Sequence, residues 1–280
     1  MSPSTRVRLG AVGYLNARPL VYGLELVPRF DVRYDVPSEC ARLLHTDAID
    51  VGLIPSIEYL RGGPYRIVPD LAIVSRGPVA SVALYTKKPM ADVRSIAMDT
   101  NSRTSVALVG VLCAQLFKIQ PAFEAHGPDL ADMLARCDAA LIIGDNALLV
   151  DHTMVRRQPD TTRETTAGDS AIEKIDLGGA WTTMTGLPFV YAFWAGQPNA
   201  VTRTDVEALQ RARNAGVAQP EIIARDYFPD SPARQAVGAR YLQDNIKYYL
   251  RAEERAGLEA FYGYAAEADL VPSAGKLRFY

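Results

Sequence analysis

The segment 95–117 constrains the fold of this chain more than any other stretch. It reads SIAMDTNSRTSVALVGVLCAQLF: an apolar strand ending at Asp99, a hydroxyl-rich turn, and an apolar helix-forming stretch from Val106 to Phe117. A strand that turns directly into a helix points free backbone N–H groups and the positive end of the helix dipole at one place. The segment therefore predicts a small-anion site, although a single Ser or Thr here could also serve only as a helix cap.

Strands and helix-forming stretches alternate along the first third of the chain, and further strands and helices follow as far as residue 267. Apolar or alternating strands are predicted over 7–12, 31–36, 49–54, 66–74, 81–85, 139–143 and 189–194. Helix-forming stretches are predicted over 14–26, 37–44, 55–60, 106–117, 130–136, 204–215, 219–227, 232–247 and 250–267, with Trp181 on a further helix. This pattern is typical of an α/β protein whose ligand crevice lies at the carboxyl ends of the strands.

The length of 280 residues predicts two lobes. Pro89 and Pro188 lie near two points at which the chain could cross between them. We therefore expect residues 1–88 and 188–280 to form one lobe and residues 89–187 the other, with the ligand between them. The polar stretch 152–174 is expected to be a surface excursion.

Composition excludes several classes of function. The formal net charge is −2 and the basic residues are scattered, which argues against a nucleic-acid partner. The three cysteines and three histidines are isolated in sequence, so neither a disulfide framework nor a metal site is expected. No apolar run approaches the length of a membrane span, and the N-terminus lacks the apolar core of a secretory signal. We expect a cytoplasmic protein without a membrane partner.

Candidate site residues are polar side chains at the predicted strand ends. They are Asn16, Ser75, Gly77, Ser81, Ser102, Arg103, Thr104, Ser105, Gly144, Asp145 and Thr185. Each has an ordinary structural interpretation as well: Asn16 as a turn residue, Gly77 as turn chemistry, Asp145 as a helix cap, and Thr185 as part of a turn before the crossing. Together they predict one crevice lined by hydroxyls, an amide and backbone donors, without a strong base.

Five ordered strings resemble the chorismate dehydratase family of menaquinone biosynthesis, which acts in the futalosine route. The strings are GYLNARPL (13–20), SRGPVASVALYT (75–86), DTNSRTSVAL (99–108), LIIGDNAL (141–148) and DLGGAWTTMTGLPFVYAFWA (176–195). The resemblance implies a two-lobed fold like the type II periplasmic binding proteins, with mixed sheets flanked by helices. It also implies loss of water from chorismate, a small dianion, to give 3-[(1-carboxyvinyl)oxy]benzoate without a cofactor, and thus a carbon–oxygen lyase.

The resemblance also implies roles for individual residues. Asn16 would hydrogen-bond the reacting hydroxyl or a carboxylate, and Ser81, favoured over Ser75 as the key serine, would lie beside the reacting carbon. Ser75 and Gly77 would shape the same loop. The turn 102–105 would hold a carboxylate, and the remaining candidates, Gly144, Asp145 and Thr185, would line the far wall. Arg18, Arg76 and Arg103 are possible counter-charges, and a substrate carboxylate could itself take the proton.

Two other functions remain open at this point. A non-catalytic solute-binding protein would explain the fold, but not the lack of a secretory signal. The related enzyme of the same pathway, which forms a dihydroxynaphthoate, would need a crevice histidine, and neither His126 nor His152 lies in a convincing motif. Two departures from the family pattern are the length of 152–174 and Ala180 before Trp181. The sequence is compatible with a monomer or a homodimer.

Overall fold

The computed structural model describes residues 6–151 and 172–280. Within these residues the strands form two five-stranded mixed sheets. The first sheet has the order β2-β1-β3-β10-β4 and contains β1 (Val7–Val12), β2 (Phe30–Asp35), β3 (Val51–Pro55), β4 (Arg66–Ser75) and β10 (Phe189–Gly196). The second has the order β7-β6-β8-β5-β9 and contains β5 (Val82–Thr86), β6 (Ser95–Asp99), β7 (Ala122–His126), β8 (Ala139–Ile143) and β9 (Glu173–Asp176).

The two sheets share one plan. In the first, β1 pairs in parallel with β2 and β3, and β10 runs antiparallel between β3 and β4. In the second, β6 pairs in parallel with β7 and β8, and β5 runs antiparallel between β8 and β9. The ends of β1, β3 and β8 and the turn after β6 line one crevice, which also contains some of the predicted site residues.

Helices flank both sheets. They are α1 (Arg18–Val21), α2 (Pro37–His45), α3 (Arg103–Leu112), α4 (Leu130–Arg136), α5 (Gly144–Leu149), α6 (Leu177–Thr185), α7 (Arg203–Val217), α8 (Pro220–Tyr227), α9 (Pro232–Arg240) and α10 (Ala252–Glu267). Short 3-10 helices cover Leu15–Ala17, Leu24–Leu26, Ser56–Leu60 and Met90–Asp92, and π-helical turns cover Cys113–Phe117 and Tyr241–Asn245. The predicted helices over 14–26 and 55–60 are thus largely 3-10 segments.

The pairing of β5 does not agree with a lobe boundary at residue 88. This strand hydrogen-bonds to β8 and β9 and so belongs to the second sheet. All of its residues are buried, so its apolar pattern fits a central strand of either sheet and cannot assign it to one. The first crossing therefore lies in the connection between Ser75 and Val82. Residues 152–171 of the predicted surface excursion lie outside the described residues, and Glu173 and Lys174 begin β9.

Candidate active site

A narrow cleft lies between the facing strand ends of the two sheets. The open volume of this cleft is about 50 Å³. The lining residues are Val12, Tyr14, Asn16, Pro37, Pro55, Ile73, Val79, Ser81, Val82, Ser102, Thr104, Ser105, Ile143, Gly144, Tyr191 and Ala192.

Asn16 and Ser81 approach the cleft from opposite sheets. Asn16 lies in the 3-10 helix that follows β1, and Ser81 directly precedes β5. The Asn16 Oδ1 atom is buried and has no hydrogen-bond partner among the residues that the structure describes. The Ser81 side chain is buried, and its Oγ lies 2.6 Å from the hydroxyl of Tyr241. An unpaired buried acceptor is costly, so a ligand donor at Asn16 would be favourable.

The start of α3 is both a capped helix terminus and part of the cleft wall. Ser102 caps the helix, since its Oγ accepts a hydrogen bond from the Ser105 N–H over 3.2 Å. Thr104 Oγ1 accepts a hydrogen bond from the Ile57 N–H over 3.2 Å. This bond connects α3, which follows β6 of the second sheet, to the 3-10 helix that follows β3 of the first sheet. Ser102, Thr104 and Ser105 all line the cleft. The cap interpretation of Ser102 is confirmed, and contact of this turn with a ligand stays a prediction.

Gly144 allows the close approach of the two sides. Its φ is +64°, and a Cβ there would lie 3.0 Å from the Tyr14 ring. The following residue, Asp145, accepts hydrogen bonds from the Leu15 N–H over 3.2 Å and from the Tyr227 hydroxyl over 2.5 Å. Asp145 therefore bridges the end of β8 to elements on the other side of the cleft.

Two tyrosines are the titratable groups of the lining. Burial raises the pKa of Tyr14, and the charges of Asp99 and Asp145 raise it further. Burial likewise raises the pKa of Tyr191, whose hydroxyl lies 3.0 Å from Ser75 Oγ. Both phenols are therefore protonated at neutral pH. Among the described residues of the lining, no carboxylate, histidine or lysine is present to act as a strong base.

Asp99 lies behind this lining at the end of β6. It is 1% exposed, and burial raises its pKa, while the Asn101 N–H, which donates to Oδ1 over 3.0 Å, opposes the rise. Its Oδ2 has no partner in the described part of the chain. Asp99 is absent from the predicted site residues, although an acid at the end of an apolar strand is a sequence signal for such a position.

Of the eleven predicted site residues, six line the cleft and five do not. Ser75 is buried against Tyr191, which leaves Ser81 as the serine that faces the cleft. Gly77 donates its N–H to Thr182 Oγ1 over 2.9 Å, and Thr185 Oγ1 donates to the Trp181 carbonyl over 2.9 Å. Asp145 bridges the two sides just outside the lining. Direct contact of these residues with a ligand stays a prediction.

The three candidate counter-charges lie in different surroundings. Arg103, the fifth residue outside the lining, is exposed. Arg76 pairs with Glu253 at the surface. The Arg18 guanidinium lies over the Tyr34 ring, 4.4 Å from its centroid, and 5.2 Å from that of Tyr227. Arg18 is thus the one of the three held near the cleft, although it is not part of the lining.

A model of the menaquinone biosynthesis family matches residues 7–267 of the chain. The chain belongs to the menaquinone biosynthesis family. It is 31% identical over 268 residues to a protein of Thermus thermophilus named chorismate dehydratase, covering 95% of this chain and 96% of the relative. A protein of Campylobacter jejuni with the same name is 26% identical over 260 residues, 90% of this chain and 94% of the relative.

Solved structures show the fold of this family member. The periplasmic aliphatic sulphonate binding protein of Escherichia coli has a TM-score of 0.63 at 17% identity, covering 100% of this chain and 92% of that one. A protein of Archaeoglobus fulgidus has a TM-score of 0.71 at 15% identity, covering 97% of this chain and 100% of that one. The predicted periplasmic-binding-protein-like α/β fold with mixed sheets is therefore confirmed.

Two further features of this chain bear on its chemistry. Within residues 6–151 and 172–280, no three His, Cys, Asp or Glu side chains gather closely enough to hold a metal ion. Across the same ranges, no helix is both long and apolar enough to cross a membrane.

Proposed function

We propose that this chain is a chorismate dehydratase, which removes water from chorismate to give 3-[(1-carboxyvinyl)oxy]benzoate. The observation that carries the proposal is the 31% identity, over nearly the full length of both chains, with a protein of that name. The cleft supports it, because hydroxyls, an amide and the N-terminus of α3 line one small space between the sheets.

The chemistry of the reaction suits a site of this kind. The ring hydroxyl leaves with the electron pair of its C–O bond. The hydrogen on the neighbouring ring carbon leaves as a proton, and its electron pair completes an aromatic ring. Because no electrons are exchanged with another reactant, the reaction needs no redox cofactor, and the protein mainly orients the substrate and stabilises developing charge. The enzyme is accordingly a cofactor-independent carbon–oxygen lyase.

The residues of the cleft take distinct roles in this proposal. Asn16 and Ser81 hold the departing hydroxyl, because both line the cleft, one after β1 of the first sheet and one before β5 of the second. The N-terminus of α3 holds one substrate carboxylate, since Ser102 and Ser105 line the cleft where the first N–H groups of a helix lack intrahelical partners. Arg18, which lies over the Tyr34 ring outside the cleft lining, contributes positive charge.

A substrate carboxylate takes the proton in this account. The lining phenols are protonated, and Asp99 lies behind the lining rather than in it. A crystal structure of the Ser81→Ala variant with chorismate tests this step. We expect one carboxylate within reach of the departing proton; neither carboxylate within reach, with Asp99 or Asp145 beside it instead, would contradict it.

We also place the enzyme in a reducing compartment, the cytoplasm. The three cysteines, Cys40, Cys113 and Cys137, are buried and unpaired. Burial raises the pKa of the Cys40 thiol to about 12 and that of Cys113 to about 12, so both stay protonated and unreactive. Unpaired thiols are typical of cytosolic proteins.

The function is tested by incubating the purified protein with chorismate in a buffer free of added metal and cofactor. We expect loss of one water and the ultraviolet spectrum of a substituted benzoate, with the product identified by mass. Chorismate that is bound tightly but recovered unchanged would indicate a solute-binding protein. If the protein leaves chorismate unchanged but converts a cyclic futalosine derivative, it is the related naphthoate-forming enzyme instead.

A further inference from the structure

Tyr241 lies directly behind the cleft although it belongs to the C-terminal tail. Its side chain is fully buried, and its hydroxyl lies 2.6 Å from Ser81 Oγ. Asn16, whose Oδ1 is buried without a partner in the described residues, lines the same cleft from the other sheet. The phenol therefore hydrogen-bonds one of the two residues that approach the cleft from opposite sheets. Tyr241 is not part of the lining, and it lies outside the five strings on which the family resemblance rests.

The direction of the hydrogen bond follows from the atoms available. Burial raises the pKa of Tyr241, so its hydroxyl carries a proton at neutral pH. That proton needs an acceptor, and Ser81 Oγ lies at hydrogen-bond distance. The Tyr241 O–H therefore donates to Ser81 Oγ. Asn16 Oδ1 has no partner in the described residues.

This direction leaves complementary groups facing the cleft. Asn16 Oδ1 remains free to accept, and the Ser81 hydroxyl hydrogen remains free to be donated. A substrate hydroxyl between them can donate to Asn16 and accept from Ser81 at once. As the C–O bond breaks, negative charge develops on that oxygen, and the Ser81 hydrogen bond, strengthened by the Tyr241 hydrogen bond behind it, stabilises this charge.

We propose that Tyr241 is a positioning residue of the dehydration: it fixes the Ser81 hydroxyl so that this group donates to the departing hydroxyl, while Asn16 Oδ1 accepts from it. This inference rests on the proposed function. The electron pair of the C–O bond goes to the leaving oxygen, and the proton that the substrate carboxylate takes from the neighbouring carbon passes to this oxygen to complete the water that departs. Tyr241 itself exchanges no proton with the substrate.

The backbone around Tyr241 is anchored to the first crossing. Tyr241 begins a π-helical turn, a feature often found at functional sites. After that turn, Lys247 exchanges two backbone hydrogen bonds with Val74, of 2.8 and 2.9 Å. Asn245 Nδ2 donates to the Pro78 carbonyl over 2.9 Å. The segment 241–247 is thus hydrogen-bonded at one point to the end of β4 and at another to the connection that carries Ser81.

The Tyr241→Phe variant tests the proposal, because it removes the hydroxyl and keeps the ring. We expect kcat for chorismate to fall by at least about tenfold, since misplaced groups in the transition state cost this much or more. KM should stay within about threefold, because the hydroxyl does not touch the substrate. Incorporation of 3-fluorotyrosine at position 241 restores a hydroxyl in the same place, and we expect it to rescue most of the rate even if the phenylalanine variant is poorly folded.

Tyr248→Phe is the matched control. Tyr248 is also buried, but its hydroxyl has no hydrogen-bond partner in the part of the chain that the structure describes. We expect this variant to retain the wild-type kcat. In the double variant Ser81→Ala with Tyr241→Phe, the rate should be close to that of Ser81→Ala alone, because Tyr241 acts through Ser81.

Several outcomes would overturn the positioning role. They are a wild-type kcat in Tyr241→Phe, equal losses in Tyr241→Phe and Tyr248→Phe, a rise in KM at constant kcat, and strictly additive losses in the double variant. These outcomes are distinguishable from failure of the proposed function, in which the wild-type protein itself leaves chorismate unchanged.

Discussion

The buried Asp99 carboxyl gives a pH-dependent prediction at the scale of one residue. Its ordinary pKa is 3.8, and burial raises this value in the folded protein. The folded state therefore holds the proton more tightly than the unfolded state, so the stability that the proton contributes is present at low pH and is lost as pH rises through the raised pKa. The Asp99→Asn variant has no titrating carboxyl at this position, so it does not lose this stability as pH rises. We expect the free energy of unfolding of the variant, minus that of the wild type, to increase from about pH 4 upward and then level off.

Urea denaturation at a series of pH values measures this difference. Asp31→Asn provides the control, because Asp31 is an exposed acid on β2 and the same replacement removes no buried charge. A difference between Asp99→Asn and the wild type that is flat across the series would show that the Asp99 carboxyl does not titrate differently in the two states.

Ser75 gives a second prediction at this scale. Ser75→Ala leaves the buried Tyr191 hydroxyl without its partner. We expect a loss of about 1–3 kcal/mol in the free energy of unfolding, while kcat of the folded protein changes little, because Ser75 does not line the cleft. Adding Tyr191→Phe should recover most of the lost stability. Loss of turnover with unchanged stability would instead place Ser75 in the reaction.

The two serines also show a limit of the sequence at the residue scale. Both lie in one short string, and both follow or precede a strand. Which of them faces the cleft depends on tertiary contacts: Ser75 Oγ lies 3.0 Å from the Tyr191 hydroxyl and Ser81 Oγ 2.6 Å from the Tyr241 hydroxyl. Each contact joins residues more than one hundred positions apart in the chain, so a local pattern does not determine it. The preference for Ser81 came from the family resemblance.

At the scale of elements, local rules worked best where an element depends on its own sequence. The cap of α3 at Ser102, the whole of α4 and the strand β8 agree with the prediction. Capping and apolar periodicity act over a few residues. The stretch 55–60 was predicted as an ordinary helix but forms a 3-10 helix. There, Ile57 donates its N–H to Thr104 across the cleft, a contact that no local pattern contains.

The start of α5 gives a prediction about closure of the cleft. The Asp145 carboxylate accepts from Leu15 and Tyr227 on the other side. Asp145→Asn weakens this bridge, because a neutral amide is a poorer acceptor than a carboxylate. We expect the Kd for chorismate to rise about tenfold, which corresponds to the loss of about 1.4 kcal/mol. The rate of conversion of bound substrate should change less.

Isothermal titration and single-turnover kinetics separate these two effects. Asp138→Asn is the control, because Asp138 pairs with Lys88 and accepts from the Arg94 N–H, away from the cleft lining. The bridging role would be contradicted by an unchanged Kd in Asp145→Asn, or by an equal rise in both variants.

At the scale of the whole molecule, the sequence predicts the α/β architecture better than it predicts the points at which the chain crosses between the two sheets. Alternating strands and helices indicate wound sheets, and two such sheets are present. The assignment of β5 could not be predicted, since a strand buried on both faces fits either sheet. Tyr241 could not be predicted either, because it lies 160 residues from Ser81 along the chain and its surroundings read as ordinary helix. A residue of the helical tail thus hydrogen-bonds a residue of the cleft lining.

The central claim is that the cleft holding Asn16 and Ser81 dehydrates chorismate. Single-turnover conversion, with enzyme in excess over chorismate, tests it most directly, since its dependence on enzyme concentration gives both the affinity and the rate. For the wild type we predict complete conversion to the benzoate product. For Ser81→Ala we predict an affinity within a few-fold of wild type and a rate lower by about 100-fold, the usual effect of removing one donor to a developing oxyanion. Wild-type protein that leaves chorismate unchanged, or a Ser81→Ala variant that converts it at the wild-type rate, would contradict the account.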